Sequence, residues 1–104
     1  MAMMAKPEEQ TAIEEVLDSS MRLDISRTLL SATDLTELLY NEGMDETPQT
    51  SKLNKLLSNM GFTLLGKFRV NGRLRRYWSM KPERFMKNGE VDSALIREYA
   101  ESDL

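Results

Sequence analysis

A chain of 104 residues with 40% hydrophobic and 30% charged side chains has the length and balance of one compact domain, and fits neither whole-chain disorder nor a fibrous architecture. Cysteine and histidine are both absent, which removes disulfides, thiolate zinc sites and the commonest general base and metal ligand. The formal net charge of -3 conceals a segregation: residues 1–49 carry three basic and eleven acidic groups, residues 88–104 carry one and five, and residues 50–87 carry ten basic groups against Glu83 alone, a net of +9. Because fields are screened over roughly 8 Å at physiological salt, a polyanion touching the middle segment meets that patch and not the chain average.

The start, MAMMAKPEEQ, has no apolar run behind a basic region, and no later stretch has the length of a membrane span, so a soluble cytoplasmic chain without a membrane partner is expected. Pro7 followed by Glu8 and Glu9 marks a first helical turn, and a helix is predicted from about Pro7 to Ser19 with Ala12, Ile13, Val16 and Leu17 on one stripe. The run from Leu23 to Leu30 contains no helix breaker and reads equally as helix or as a short extended segment. Ser31 is predicted to cap a second helix, with Asp34 returning the bond, Leu35, Leu38 and Leu39 on its buried face and Gly43 at its end. Thr47-Pro48 announces a third helix running to Met60 and stopping at Gly61. Leu53, Leu56, Leu57 and Met60 form its buried stripe, which turns Ser51, Lys52, Asn54, Lys55, Ser58 and Asn59 outward.

From Phe62 to Met80 the period changes, and FTLLGKFRV-NG-RLRRYWSM reads as two strands joined by Asn71-Gly72, the dipeptide that best tolerates the positive φ angles of a type I′ turn. A two-residue turn sets Val70 opposite Arg73, Arg69 opposite Leu74, Phe68 opposite Arg75, Lys67 opposite Arg76 and Leu65 opposite Trp78. Arg69, Arg73, Arg75 and Arg76 then project with the tip into solvent, while Leu65 and Trp78 pack on helices at the base. Gly61, Gly66 and Gly72 read as a helix end, a strand irregularity and a turn, since their spacing does not form a phosphate-cradling loop. Lys81-Pro82 ends the strand, residues 87–90 (KNGE) read as a turn, and Val91 to Tyr99 form a last acidic helix with Leu95, Ile96 and Tyr99 on its apolar side.

Helices followed by a polar-faced helix and a basic hairpin are the element order of a winged helix-turn-helix: an α+β fold with three or four helices and one β-hairpin wing. Residues 1–24 are assigned to the N-terminal helix with a tag or linker, 25–81 to the winged-helix core and 82–104 to the C-terminal acidic helix. The stretch from Ser31 to Met80 resembles the winged-helix domains near the C-terminus of bacteriophage and mobile-element primase-helicase proteins, including the virulence-associated protein E group. TSKLNKLLSNMGF followed by KFRVNGRLRRYW carries the likeness: a polar-faced helix, a glycine-aromatic exit and arginines on both sides of an NG turn ending in aromatics. The resemblance implies a DNA-binding or strand-positioning appendage of a replication protein, without catalytic residues of its own. No GxxxxGK[ST] loop is present, so in a fragment the ATPase and primase work would lie elsewhere in the parent, and in a complete protein a small regulator is the better expectation.

Nucleic-acid contacts are expected from Ser51, Lys52, Asn54 and Lys55 on the third helix, where Asn suits adenine and Lys suits guanine or phosphate, and from Lys67, Arg69, Asn71, Arg73, Arg75 and Arg76 on the hairpin, whose guanidinium forks suit phosphate. The partner expected is DNA, duplex ahead of single strand. Tyr77 and Trp78 could stack on unpaired bases, but Trp78 at the hairpin base is read as core. Pairs such as Glu14-Glu15 and Asp45-Glu46 point in different directions and read as solvated charge, so no enzyme, metal or cofactor is expected. The competing reading is a protein-docking module, because winged-helix folds serve both purposes. A continuous basic face shared by the third helix and the hairpin favours DNA, and scattered charge favours the protein partner.

Overall fold

A computed structural model describes residues 8–41 and 50–101. The fold is α+β: helix α1 (Glu8–Ser19), strand β1 (Leu30–Ser31), helices α2 (Ala32–Asn41) and α3 (Thr50–Asn59), strands β2 (Thr63–Val70) and β3 (Arg73–Ser79), a single 3-10 turn (Pro82–Phe85), a small hairpin of β4 (Met86–Lys87) and β5 (Glu90–Val91), and helix α4 (Ser93–Ala100). Pro7, Gly43, Thr47 and Pro48, on which the ends of three helices were placed, lie outside the described residues.

The α1 stripe is real, with Ile13, Val16 and Leu17 buried. The run from Leu23 to Leu30 is neither helix nor a continuous extended segment: residues 23–24 form a turn, Ile25 a lone bridge and residues 26–29 a bend, and strand begins at Leu30. Ile25 bridges Leu30 in antiparallel fashion, and the Ser26 hydroxyl closes the loop between them by donating to the Leu23 carbonyl at 2.9 Å and accepting from the Leu29 amide at 3.2 Å. This loop delivers Leu30 and Ser31 to the edge of the sheet, where they pair with Trp78 and Tyr77. Ser31 is therefore a strand residue and not the expected cap: it is fully buried, its Oγ has no hydrogen-bond partner, and the return bond from Asp34 is not made. Asp34 is instead turned inward, as described below.

Both central residues of the hairpin turn have positive φ, 53° at Asn71 and 77° at Gly72, as the type I′ geometry requires. The register follows expectation from Val70↔Arg73 to Lys67↔Arg76 and then slips, because a bulge between Leu64 and Gly66 puts Leu64, not Leu65, opposite Trp78. Gly66, at φ 130°, supplies the backbone freedom the bulge needs. The slip turns Leu65 to the opposite face of the sheet from Trp78, so the two do not pack on the same helices.

Strand order β1-β3-β2 makes β3 the centre of the three-stranded sheet and gives it two faces to cover. Trp78 belongs to the cluster built by Ile13, Val16 and Leu17 of α1, Leu35 and Leu39 of α2, Leu53, Leu56 and Leu57 of α3, and Ile25 and Phe62. Its neighbour Tyr77 points the other way, into a smaller cluster with Leu29, Leu65, Val70, Phe85 and Ile96. Truncating an aromatic or leucine in such a position costs about 2–5 kcal/mol, so both faces contribute to holding the sheet.

The turn read at residues 87–90 is the centre of a second hairpin, with Met86 opposite Val91 and Lys87 opposite Glu90. Val91 is thus a strand residue, and α4 begins two residues later, where the Asp92 carboxylate accepts from the Ala94 amide at 2.9 Å. Ile96 of α4 is fully buried, and Phe85 meets Tyr99 edge-on with ring centroids 5.5 Å apart.

Candidate nucleic-acid interface

Along α3, alternate flanks carry different chemistry. Leu53, Leu56 and Leu57 are buried, which leaves Ser51, Lys55 and Ser58 facing outward, with Asn54 on one shoulder and Lys52 on the other. The Lys52 ammonium is hydrogen-bonded to the Glu9 carboxylate of α1, and this bond holds the Glu9 carboxyl below the usual carboxylate range. Lys52 is therefore compensated within the chain. Asn54 leans the other way, toward the hairpin.

The hairpin also has two sides. Residues paired across antiparallel strands share a face and successive residues alternate, so Lys67, Arg69, Leu74 and Arg76 lie on the face of Trp78, while Phe68, Val70, Arg73 and Arg75 lie on the face of Tyr77. The four hairpin arginines are thereby divided between the two faces. Arg69 bends back and donates to the Gly72 carbonyl at 3.1 Å, Arg73 is exposed, and Arg76 is half-buried. Asn71 occupies the turn itself.

Arg75 departs from the expectation that it projects into solvent. Its side chain is only 11% exposed, and its Nε lies 3.2 Å from Asp34 Oδ2, with Nη1 3.9 Å from Asp24 Oδ2. Arg22 completes the group: it donates to both oxygens of Asp24, at 3.0 and 2.8 Å, and stands 3.4 Å from Asp34 Oδ2. Two cations and two carboxylates form a neutral cluster that joins the loop before β1, the first turn of α2 and the middle of β3. The carboxylate of Asp24 raises the Arg22 guanidinium above its usual value, against the opposing effect of partial burial. The Tyr77 hydroxyl lies beneath this cluster, and burial pushes it above the usual phenol value. Both Tyr77 and Trp78 are in the core, Trp78 at 4% exposure, and neither is available for stacking on a base.

Between α2, α3 and the hairpin lies an open groove of about 330 Å³. Thr33 of α2, Asn54 of α3, and Lys67, Leu74, Arg75 and Arg76 of the hairpin line it, with no carboxylate among its lining residues. Here Asn54 of the third helix lines the same groove as Lys67 and Arg76 of the hairpin. Lys55 is exposed on the outer side of α3 and does not line the groove. Thr33 and Leu74 were not singled out in the sequence; the strand alternation that follows from the NG register could have flagged Leu74, but Thr33 carries no local signal.

Among the described residues there is no group of three or more acidic side chains arranged to hold a metal ion, and no helix is long and apolar enough to cross a membrane. Neither a protein-family model, nor a curated protein, nor a solved structure matches the chain.

Proposed function

We propose that this chain is a non-catalytic winged-helix domain that binds duplex DNA through α3 and the β2–β3 hairpin, as an appendage of a phage-type replication protein or as a small regulator. The observation that carries the reading is the groove in which Asn54 of α3 lies beside Lys67 and Arg76 of the hairpin, because it sets a polar side chain of the helix against two cations of the hairpin. The order α1-β1-α2-α3-β2-β3, with the hairpin following the third helix, supports the winged-helix reading. In this arrangement α3 enters a major groove with Ser51 and Lys55 foremost, and Lys67, Arg69, Arg73 and Arg76 hold the flanking backbone. Lys52 and Arg75 take no direct part, since their charges are met by Glu9 and by Asp34 with Asp24. Five remaining cations neutralising about five phosphates give a slope of log affinity against log salt of roughly -4 to -5.

Fluorescence-anisotropy titration of a labelled duplex and a labelled single strand at two salt concentrations tests the proposal, with the parent chain and the Arg69→Ala/Arg73→Ala variant. Salt-sensitive duplex binding that the variant weakens supports it, and a preference for the single strand moves the assignment toward strand positioning in a replication protein. Absence of binding to either probe at tens of micromolar protein refutes it and leaves the protein-docking module.

A further inference from the structure

Five cations among the described residues are met by the chain's own acceptors. Lys52 reaches Glu9, Arg27 reaches Asp18 at 2.9 Å, Arg22 and Arg75 share Asp24 and Asp34, and Arg69 donates to a backbone carbonyl. Lys67 and Arg76 are among the cations left over, and both line the groove. They are direct cross-strand partners, on the same face of the hairpin, and among the described residues neither has a hydrogen bond or ion pair. Like charges directly opposite each other on a sheet repel and lower stability, so this pair weakens the empty fold in a chain that carries 17 carboxylates elsewhere.

We infer that the groove between α2, α3 and the hairpin is a seat for one phosphate group. Arg76 offers a planar fork of N–H donors and Lys67 a mobile ammonium, the pairing that suits a tetrahedral oxyanion. Asn54 and Thr33 add an amide and a hydroxyl from the opposite walls, and both are without described partners. Arg75 lines the same groove but is neutralised by Asp34 and Asp24, so Lys67 and Arg76 are its uncompensated charge. The walls come from three elements, α2, α3 and the hairpin. The bound anion removes the repulsion between the two cations and ties α3 to the hairpin. This inference rests on the same groove as the functional reading and names the chemical group that fills it. The phosphate comes either from a nucleic-acid backbone or from a free phosphate ester.

The test is a titration of isotopically labelled protein with inorganic phosphate, against chloride at matched ionic strength, followed by amide and side-chain NMR shifts. Saturable shifts confined to the Asn54 side chain and the neighbourhood of Thr33, Lys67 and Arg76 are expected. At ten times the dissociation constant the melting temperature should rise by about 5 °C or more. Lys67→Gln and Arg76→Gln should each melt no lower than the parent in chloride and lose the saturable response, whereas general salt stabilisation would persist in both. Shifts that are absent, unsaturable or spread over the whole basic surface overturn the inference. A short duplex without terminal phosphates and a nucleoside monophosphate then separate the sources: competition between duplex and inorganic phosphate identifies a backbone phosphate, and competition by the monophosphate alone identifies a free ester. Duplex binding that leaves the groove resonances unmoved overturns the seat while the DNA reading stands. Saturable phosphate binding without any duplex binding does the reverse.

Discussion

Replacing Arg75 by alanine should unfold the protein far more easily than replacing its neighbour Arg76. Asp34 is 3% exposed, and its Oδ2 is met by Arg75 Nε at 3.2 Å and by Arg22 at 3.4 Å. Removing one partner of a buried ion pair costs about 3–5 kcal/mol, because the surviving charge stays out of water. Arg22 remains and its side chain is 49% exposed, so the lower end, about 3 kcal/mol, applies to Arg75→Ala. In a domain of this size that lowers the melting temperature by about 12 °C or more. Arg76 has no described partner, and Arg76→Ala should stay within about 0.5 kcal/mol of the parent. Urea unfolding followed by the emission of Trp78, the chain's one tryptophan and a buried one, reads both variants. Arg75→Met combined with Asp34→Asn should recover much of the loss, since the stranded charge is gone. If Arg75→Ala and Arg76→Ala unfold at the same urea concentration, the cluster does not hold Arg75 in solution and the division of the hairpin into two faces fails. The comparison also bears on binding assays: a variant that includes Arg75 would lose affinity through lost structure, whereas changes at Lys55, Lys67, Arg69, Arg73 and Arg76 test the proposed contact.

Three further outcomes follow from single residues. Glu9→Gln releases Lys52 and should raise duplex affinity at low salt, steepening the salt slope by about 0.9, as anisotropy would show. The Glu9–Lys52 pair, whose carboxyl is held below its usual value, helps the fold above the ordinary carboxylate range and loses that help as pH falls through the lowered value; being open to solvent, it should move acid stability little. Gly66→Ala places a Cβ 3.2 Å from the Phe68 ring at a φ of 130°, and should cost more than about 1 kcal/mol in thermal unfolding by disturbing the bulge. Tyr77, whose hydroxyl is pushed up by burial, favours the fold fully below the unfolded phenol value near 10 and progressively less as pH rises from there through the folded value. Tyr77→Phe should flatten that alkaline decline in a pH series of urea unfolding.

What could be read from the sequence was local. The NG turn set four of the five expected cross-strand pairs, and helical spacing identified the buried leucines of α2 and α3, because each signal depends on residues a few positions apart. The misses arose from contacts between distant segments. Ser31 looks like a cap from its neighbours, but β3, more than forty residues later, recruits it into a sheet. Arg75 looks like a wing residue from its own hairpin, yet Asp24 and Asp34, which neutralise it, come from the loop before β1 and from α2. Leu65 was misplaced by the bulge, whose presence Gly66 signalled but whose effect on register the pattern did not specify. The second hairpin was recognised only as a turn because its strands are two residues long, too short to show alternation. For the candidate interface, the list of basic residues was legible and its division into compensated and uncompensated charge was not.

The position of β3 has a consequence for how the protein opens. Among the described residues it is the only strand of its sheet with neighbours on both sides, and its consecutive residues Tyr77 and Trp78 enter two different clusters. Neither cluster can come apart without disturbing the strand that walls the other, so the helical side and the α4 side should melt as one cooperative unit. In hydrogen exchange, the amides of Tyr77 and Trp78 should therefore be among the last to go, with protection close to that of global unfolding, while the hairpin tip at Asn71 exchanges freely. On the DNA-binding proposal, a stiff root and a loose tip would let the hairpin conform to a curved polyanion without loosening the domain that holds it.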